Sequence, residues 1–385
     1  MVAGFVNSER VRGCAVFLFR LCKNQYRFGV IAIQVQAAKH SYRVLIGSGI
    51  LGATAGALKD VLSPAACAVI SDTNVAPRFG DQLQRSLVAA GYEPRLLTVP
   101  AGEESKTLER AGDICEQMLR AGLNRQSFVI GLGGGVIGDL SGFVAAIFER
   151  GIPHVQVPTT LLAMVDSSIG GKTGVNTGAG KNLIGAFHPP VLVLDDVEVL
   201  KKLPRRELNQ GFAEIIKHSI IADAKMFRQL EDVDPEKVDF APLIRENIAT
   251  KARIVKKDEF ERKGERALLN FGHTIGHAIE RAAEYRDLVH GEAVSLGIVA
   301  ASELSIKKAG LPKKDRDRIV DLLRKFGLPI QLRKDFPREK IFDALKFDKK
   351  FVRGEVRFVV TTKIGSAELA SDVTMDDLRA AVEML

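Results

Sequence analysis

The run Phe128-Val-Ile-Gly-Leu-Gly-Gly-Gly-Val-Ile-Gly-Asp139 decides the fold. Phe128 to Leu132 has the length and apolar character of a buried strand. A glycine cluster then opens an apolar helix, Val136 to Phe148. Glycines at such a junction let the main chain turn sharply and approach another molecule closely. Gly133, Gly135 and Gly138 satisfy GxGxxG, where absent side chains let a pyrophosphate reach the positive end of a helix. A glycine-rich turn with no ligand satisfies the same pattern, so both meanings stay open here. The run sits on roughly the third strand of its unit, and no acid closes a following strand at the usual interval. It therefore points to a nucleotide-binding arrangement related to the usual dinucleotide fingerprint, not to the fingerprint itself.

Outward from this junction, strand and helix signals alternate. Strands are expected at Ile31–Val35, Ala66–Ser71, Arg95–Val99, Val155–Val157 and Val191–Leu194, with helices at Phe79–Ala90 and Leu108–Ala121. Alternation of this kind implies a mostly parallel sheet with ligands at the carboxyl ends of its strands. After Pro204 the strand signals vanish until Val356–Thr361. Helical patterns replace them over Arg206–Ala222, Leu243–Lys257, Ala267–Glu284 and Ala293–Lys308. Pro204 with Glu207 suits a first helical turn. The expected organisation is an extension over 1–28, a Rossmann-like α/β nucleotide-binding domain over 29–203, and a mainly α-helical domain over 204–385 for metal and substrate.

Composition narrows the function classes. With 385 residues, 46% hydrophobic and 26% charged, the chain can bury two cores. No apolar run approaches the ~20 residues of a membrane helix, so no membrane partner is expected. Cys14, Cys22, Cys67 and Cys115 form neither a CxxC pair nor a dense framework. That argues for a reducing compartment, the cytoplasm, and against structural disulfides or a cysteine zinc site. The net charge of +8 admits nucleic acid, but the cations come as singles and pairs, and aromatics are 6% with no Trp. No stacking platform is evident, and small anionic ligands account better for the surplus. Residues 1–28 carry Arg10, Arg12, Arg20, Lys23 and Arg27 around a short apolar stretch, and are expected to be an unstructured extension rather than a targeting peptide.

Two further clusters carry chemistry. Gly170-Gly171-Lys172-Thr173 ends like a phosphate loop, but Asp166 stands where the Walker spacing needs glycine, so ATP is disfavoured. What remains over Gly170–Gly180 is a flexible glycine loop, followed by Lys181 and Asn182. It is either an anion cradle or an exposed loop with solvated lysines. His273, His277 and His290 are three of only seven histidines. A helix puts His273 and His277 on one face, yet Thr274 replaces the catalytic Glu of a zinc protease. On Arg206–Ala222, Glu214 and Lys217 share an otherwise apolar face. A Glu and two His around an open position suit zinc acting as a Lewis acid, and a role in acid–base chemistry remains the alternative.

Seven motifs then occur in order. They are Gly133 to Asp139, Gln156 to Leu162, Asp166 to Lys172, Gly180 to Phe187, Gly211 to Lys217, Leu269 to His277, and His290 to Ala293. Together, from about residue 31 onward, they resemble the 3-dehydroquinate synthase family, cyclases that share their architecture with glycerol dehydrogenase. The resemblance implies NAD and one divalent metal per chain, Zn2+ or Co2+, acting on a phosphorylated sugar acid in a homodimer. Residue by residue it implies NAD contacts at Asp72, Asn74, Glu103, Lys106, Gly134, Gly135, Val136, Asp139, Thr159 and Thr160, with Lys172 and Lys181 beside them. It implies metal ligands Glu214, His273 and His290. His277 becomes a proton-transfer partner instead of a ligand, alongside Lys172, Lys217, Arg266, Asn270 and the relay acid Glu261. Substrate contacts fall on Asp166, Lys181, Asn182 and Lys251, with phosphate held by Lys349 or Lys350 and by Arg150 of a neighbouring subunit. The stretch Asp258 to Gly264 is one residue longer than the family's, and bears on the placement of Glu261.

The implied reaction converts 3-deoxy-arabino-heptulosonate 7-phosphate to 3-dehydroquinate and phosphate, a step of aromatic amino acid biosynthesis. Two rivals share the plan: another sugar phosphate cyclase, and a metal-dependent polyol dehydrogenase, whose uncharged substrate has no use for so many cations.

Overall fold

The computed structural model describes residues 29–37, 40–284, 287–346 and 357–385. The extension over 1–28, with Cys14 and Cys22, and the phosphate lysines Lys349 and Lys350 lie outside the described residues. Eleven strands are described: β1 Ile31–Gln36, β2 Ser41–Gly47, β3 Ala66–Asp72, β4 Glu93–Val99, β5 Phe128–Gly133, β6 His154–Pro158, β7 Lys172–Thr177, β8 Gly180–Phe187, β9 Leu192–Asp196, β10 Phe358–Lys363 and β11 Ser366–Ala370. Seven of them form one sheet in the order β1-β2-β9-β6-β5-β3-β4. Only the β1–β2 pairing is antiparallel; every other pairing in this sheet is parallel.

Helices α1 Thr54–Leu58, α2 Asp81–Ala89, α3 Leu108–Arg120 and α4 Gly135–Ile147 belong to the sheet half. Parallel strands are buried on both faces, and alternate side chains show it. Cys67, Val69, Phe128 and Ile130 enter the large core, while Ala68, Ile70 and Val129 enter a smaller one with Ile114, Leu140 and Val144. The large core runs without a break into Phe212, Ile216, Val294 and Phe326 of the helices that follow. Those are α5 Arg205–Ala222, α6 Ala224–Asp232, α7 Phe240–Lys257, α8 His273–Ala282, α9 His290–Ala309, α10 Lys313–Lys325, α11 Arg338–Lys346 and α12 Met375–Glu383. We propose the domain division at 203/204, in the short connection between β9 and α5.

Two sequence expectations are corrected, and one strand is added. The Gly170–Gly180 stretch is not a flexible loop. From Lys172 it forms the first strand of an antiparallel hairpin, β7–β8, with Lys172 opposite Phe187 and Val175 opposite Ile184. Val175 reaches the smaller core, a burial that the glycine-rich composition hides. The helix expected over Ala267–Glu284 is broken. Arg266–Asn270 is a tight turn, Gly272 takes a left-handed φ of 76°, and α8 starts only at His273. A side chain at Gly272 would lie 2.8 Å from Ile298, so α9 presses on this corner and only glycine fits. Strand β2, which has no counterpart among the expected strands, is the bridge between the antiparallel edge and the parallel body.

Candidate active site

The chain runs outward from β3 to β4 and then crosses back to β5, so the sheet order reverses between β3 and β5. Ligands of open α/β sheets bind at such a switch point, beyond the carboxyl ends of the strands. Asp72 ends β3, and its Oδ1 accepts from the main-chain N–H of Asn74 at 2.8 Å and of Val75 at 3.0 Å. Across from it, β5 ends at Gly133 and Gly134 opens α4 with no side-chain cap, leaving the first N–H groups of the helix to a ligand. The glycines here divide by role. A side chain at Gly133 would strike Ile137 at 2.6 Å, and one at Gly138 would meet Gln156 at 2.8 Å, so these two serve strand–helix packing. Gly134 and Gly135 are the pair that line the cleft.

A single cleft of about 1130 Å³ runs from this turn to the helices. Its sheet side includes Asp72, Asn74, Glu103, Lys106, Val136, Asp139, Thr159 and Thr160, all of them expected cofactor positions. Lys106 Nζ donates to Asp139 Oδ2 at 2.5 Å. Burial pushes the Asp139 carboxyl up, with Lys106 pulling against it. Asn176 on β7 donates to Glu103 at 2.7 Å, fastening the hairpin to this rim. The hydroxyl of Thr159 is buried without a hydrogen-bond partner.

The helical side gathers the charges. Lys251 on α7 donates to Asp166 Oδ1 at 2.7 Å and to its carbonyl oxygen at 2.6 Å. Burial alone would raise the Asp166 carboxyl, but Lys251 holds it well below its usual range. Lys172 pairs with Glu261, which also accepts from Asn270 at 3.4 Å. Glu261 adopts a left-handed φ of 55°, so the long connector turns its carboxylate into the cleft. Arg266 is buried and faces the same space, as do Lys181 and Asn182 from β8.

At the deep end, Glu214 on α5 is fully buried. The Nε2 atoms of His273 and His290 each lie 3.4 Å from its Oε1, and Lys217 pairs with its other oxygen. Beyond these three neighbours neither Glu214 oxygen has a hydrogen-bond partner. A buried carboxylate and two imidazole nitrogens converging on one point, with ligand atoms within 4.8 Å of one another, fit a divalent cation. Burial pushes Glu214 up, but Lys217 and His273 hold it well below the usual range. His277, one turn along α8, stands edge-on to His273 with ring centroids 5.2 Å apart. Burial, reinforced by His273 and His290, pushes His277 down to about 3, so it is neutral.

Arg150 does not join this assembly. It is exposed, lies at the end of α4 on a left-handed backbone, and does not line the cleft. Two residues escaped the sequence reading. His218, one turn beyond Glu214, lies with Nε2 3.4 Å from Asp166 Oδ1. Glu280 accepts from Lys181 at 3.0 Å and lies 3.2 Å from His290 Nδ1. Its spacing of three from His277 and seven from His273 marks the same helix face, the signal that could have found it.

Comparison with known proteins agrees along the chain. Residues 96–210 match the family described as 3-dehydroquinate synthase N-terminal, and residues 211–351 its C-terminal counterpart. A 3-dehydroquinate synthase of Nostoc punctiforme is 43% identical over 91% of this chain and 98% of its own length. Among solved structures, 2-epi-5-epi-valiolone synthase from Streptomyces hygroscopicus with NAD+ and Zn2+ bound is similar at a TM-score of 0.82. It is 31% identical over 91% of this chain and 98% of that one. A 2-deoxy-scyllo-inosose synthase complexed with carbaglucose-6-phosphate, NAD+ and Co2+ is similar at 0.84. It is 26% identical over 92% of this chain and 99% of that one.

Proposed function

The chain belongs to the 3-dehydroquinate synthase family, and from that membership we infer that it converts 3-deoxy-arabino-heptulosonate 7-phosphate to 3-dehydroquinate and phosphate. It is an NAD- and metal-dependent, phosphate-eliminating cyclase. The observation that carries the reading is one cleft joining a helix-opening glycine turn, a Glu–His–His cluster and Lys172, Lys181, Lys217, Lys251 and Arg266. A substrate bearing both carboxylate and phosphate needs that many cations, and a polyol does not. The two solved cyclases stand at 31% and 26% identity, against 43% for the synthase from Nostoc.

When bound, NAD would supply an acceptor for a hydride that is later returned, and a divalent metal would supply a Lewis acid for the alcohol oxygen, the chemistry that phosphate elimination and ring closure require. Glu214 and the Nε2 atoms of His273 and His290 would hold the metal. Gly134, Gly135 and the open end of α4 would take the pyrophosphate, with Asp72 and Asn74 towards the adenosine. Lys251 and Arg266, both buried and already oriented, would anchor the anionic groups without reorganising. Lys172, Lys181, Asn182 and Asn270 would orient the sugar from the hairpin and the connector. His277, neutral at working pH, would accept and return a proton at a ring nitrogen, with Glu261 as the relay acid behind it. Lys217 offsets the Glu214 charge. Arg150, away from the cleft of its own chain, would reach the phosphate of a second subunit, which together with Lys349 or Lys350 completes the site.

A homodimer acting in the cytoplasm, without a membrane or nucleic-acid partner, belongs to the same proposal. Among the described residues no helix is long and apolar enough to cross a membrane. The test is direct: supply the heptulosonate phosphate, NAD and zinc, and follow phosphate together with the carbocyclic product. Formation of both is expected. Absence of both from protein shown to hold NAD and metal, with turnover of a different sugar phosphate, would transfer the chain to another cyclase activity.

A further inference from the structure

Glu280 sits on α8 behind the metal cluster and is 2% exposed. A carboxylate so buried needs a partner for each oxygen. Here the partners differ in kind: Oε1 takes Lys181 Nζ of the β7–β8 hairpin at 3.0 Å, and Oε2 faces His290 Nδ1 at 3.2 Å. We propose that Glu280 is a positioning residue, fixing the ring of His290 for metal binding and fastening Lys181 to the same point.

The inference rests on the ligand set proposed above. An imidazole that donates its Nδ1–H presents the lone pair of Nε2, and His290 Nε2 is the atom lying 3.4 Å from Glu214 Oε1. An anion behind the ring also makes that nitrogen a stronger donor to a cation. The second histidine is held differently: His273 Nδ1 lies 3.1 Å from the carbonyl oxygen of Phe271, part of the main chain. One ring is thus oriented by backbone and the other by a side chain, and only the latter can be removed by substitution. Lys181 extends the role. An ammonium carries three donors, so holding Glu280 is compatible with meeting an anion in the cleft. Through Glu280 the hairpin that faces the substrate and the metal cluster share one fixed point.

Glu280→Gln tests this, because an amide has one acceptor oxygen where the carboxylate has two and cannot hold both partners. Zinc alone is titrated into the metal-free protein against a chromophoric chelator, without substrate or NAD. Affinity should fall about 10–100-fold, the usual effect of losing such an outer partner, with Glu280→Asp between the two. NAD binding and the thermal midpoint of the metal-free protein should stay near wild type. Zinc affinity of Glu280→Gln within about threefold of wild type, while His273→Ala loses it, overturns the role of Glu280. Wild-type and His273→Ala proteins binding zinc alike overturn the ligand set instead. Should Glu280→Gln fail to fold, nitrogen-15 histidine spectra of the zinc-loaded wild type carry the test. A slowly exchanging Nδ1–H on His290 is expected, and fast exchange refutes the proposal.

Discussion

Arg266 Nη2 donates to the carbonyl oxygen of Gly170 at 3.1 Å, while its Nη1 donates to that of Glu259 at 2.5 Å. Gly170 follows β6 in the sheet half, and Arg266 precedes α8 in the helical half, so one buried cation joins the two across the cleft. The N–H of Gly170 is taken as well, donating to the Tyr42 hydroxyl at 3.0 Å. A side chain at Gly170 would lie 2.6 Å from the guanidinium, and its φ of 100° excludes most other residues.

Arg266→Ala should therefore fail in two measurements at once. Losing an anion anchor costs about 2–4 kcal/mol of transition-state binding, read as kcat/KM. Leaving two buried carbonyls unpaired costs about 1–3 kcal/mol of folding stability, read by denaturant titration. NAD affinity should hold. A variant as active and as stable as wild type would make Arg266 a bystander.

Lys172 gives the contrasting case. Its side chain is 50% exposed and pairs with Glu261 at the cleft edge. Lys172→Ala should lower kcat/KM by a similar factor, on the order of 2–4 kcal/mol, with little change in the unfolding midpoint, because exposed ion pairs add little to stability. Loss of stability without loss of activity would assign Lys172 to the fold.

What the sequence showed and concealed follows from the range of the interactions. The turn at Gly133 to Gly138 was legible because its packing partners, Ile137 and Gln156, belong to the same strand–helix–strand passage. The histidines at 273, 277 and 290 were legible by spacing and rarity. The ligand set came from family resemblance, since helical spacing alone would have paired His273 with His277. Gly170–Gly180 looked like a loop because its burial depends on α4, contributed from earlier in the chain. Gly272 breaks a helical pattern because α9 crowds it from later in the chain. His218 carries no local mark of function and Glu280 only its place on the helix face of His273 and His277, and the fold alone sets them beside Asp166 and His290.

His154, at the start of β6, predicts an acid weakness outside the catalytic centre. It is fully buried, neither ring nitrogen has a hydrogen-bond partner, and its ring stacks on His188 with centroids 5.1 Å apart. Burial, helped by His188, pushes it down to about 3. The folded state thus refuses a proton that the unfolded chain accepts below its ordinary value of about 6.5. Its neutral form favours folding above that value, and the advantage is lost as pH falls towards 3. At about 1.4 kcal/mol per unit, the full window is worth on the order of 5 kcal/mol. Urea midpoints of wild type and His154→Phe at pH 7.5 and 5, in the same metal state, should show a smaller drop for the variant. Equal drops would remove His154 as a source.

Glu214→Ala should abolish tight metal binding and activity together while NAD binding survives, since the helix turn at Gly134 is built on a different element. Metal analysis after gel filtration and a separate NAD titration decide it. Retention of one metal per chain would exclude Glu214 as a ligand, and parallel loss of NAD would mean that the two sites fold as one.

The borrowed hydride gives the last prediction. A cleft that holds NAD beside cations suited to carboxylate and phosphate can oxidise its substrate, let phosphate leave, and return the hydride before the product escapes. Phosphate release should then continue for many turnovers on an amount of NAD no greater than the enzyme, with no steady growth of reduced-cofactor absorbance. A polyol dehydrogenase on the same fold must consume one NAD for each alcohol oxidised and release no phosphate. Both signals are read together, absorbance in one channel and a coupled phosphate assay in the other. His277→Ala sharpens the distinction, because removing a proton-transfer group should slow phosphate release while leaving zinc bound by Glu214, His273 and His290. Stoichiometric accumulation of NADH by the wild type would refute the cyclase. Loss of zinc from His277→Ala would place His277 among the ligands.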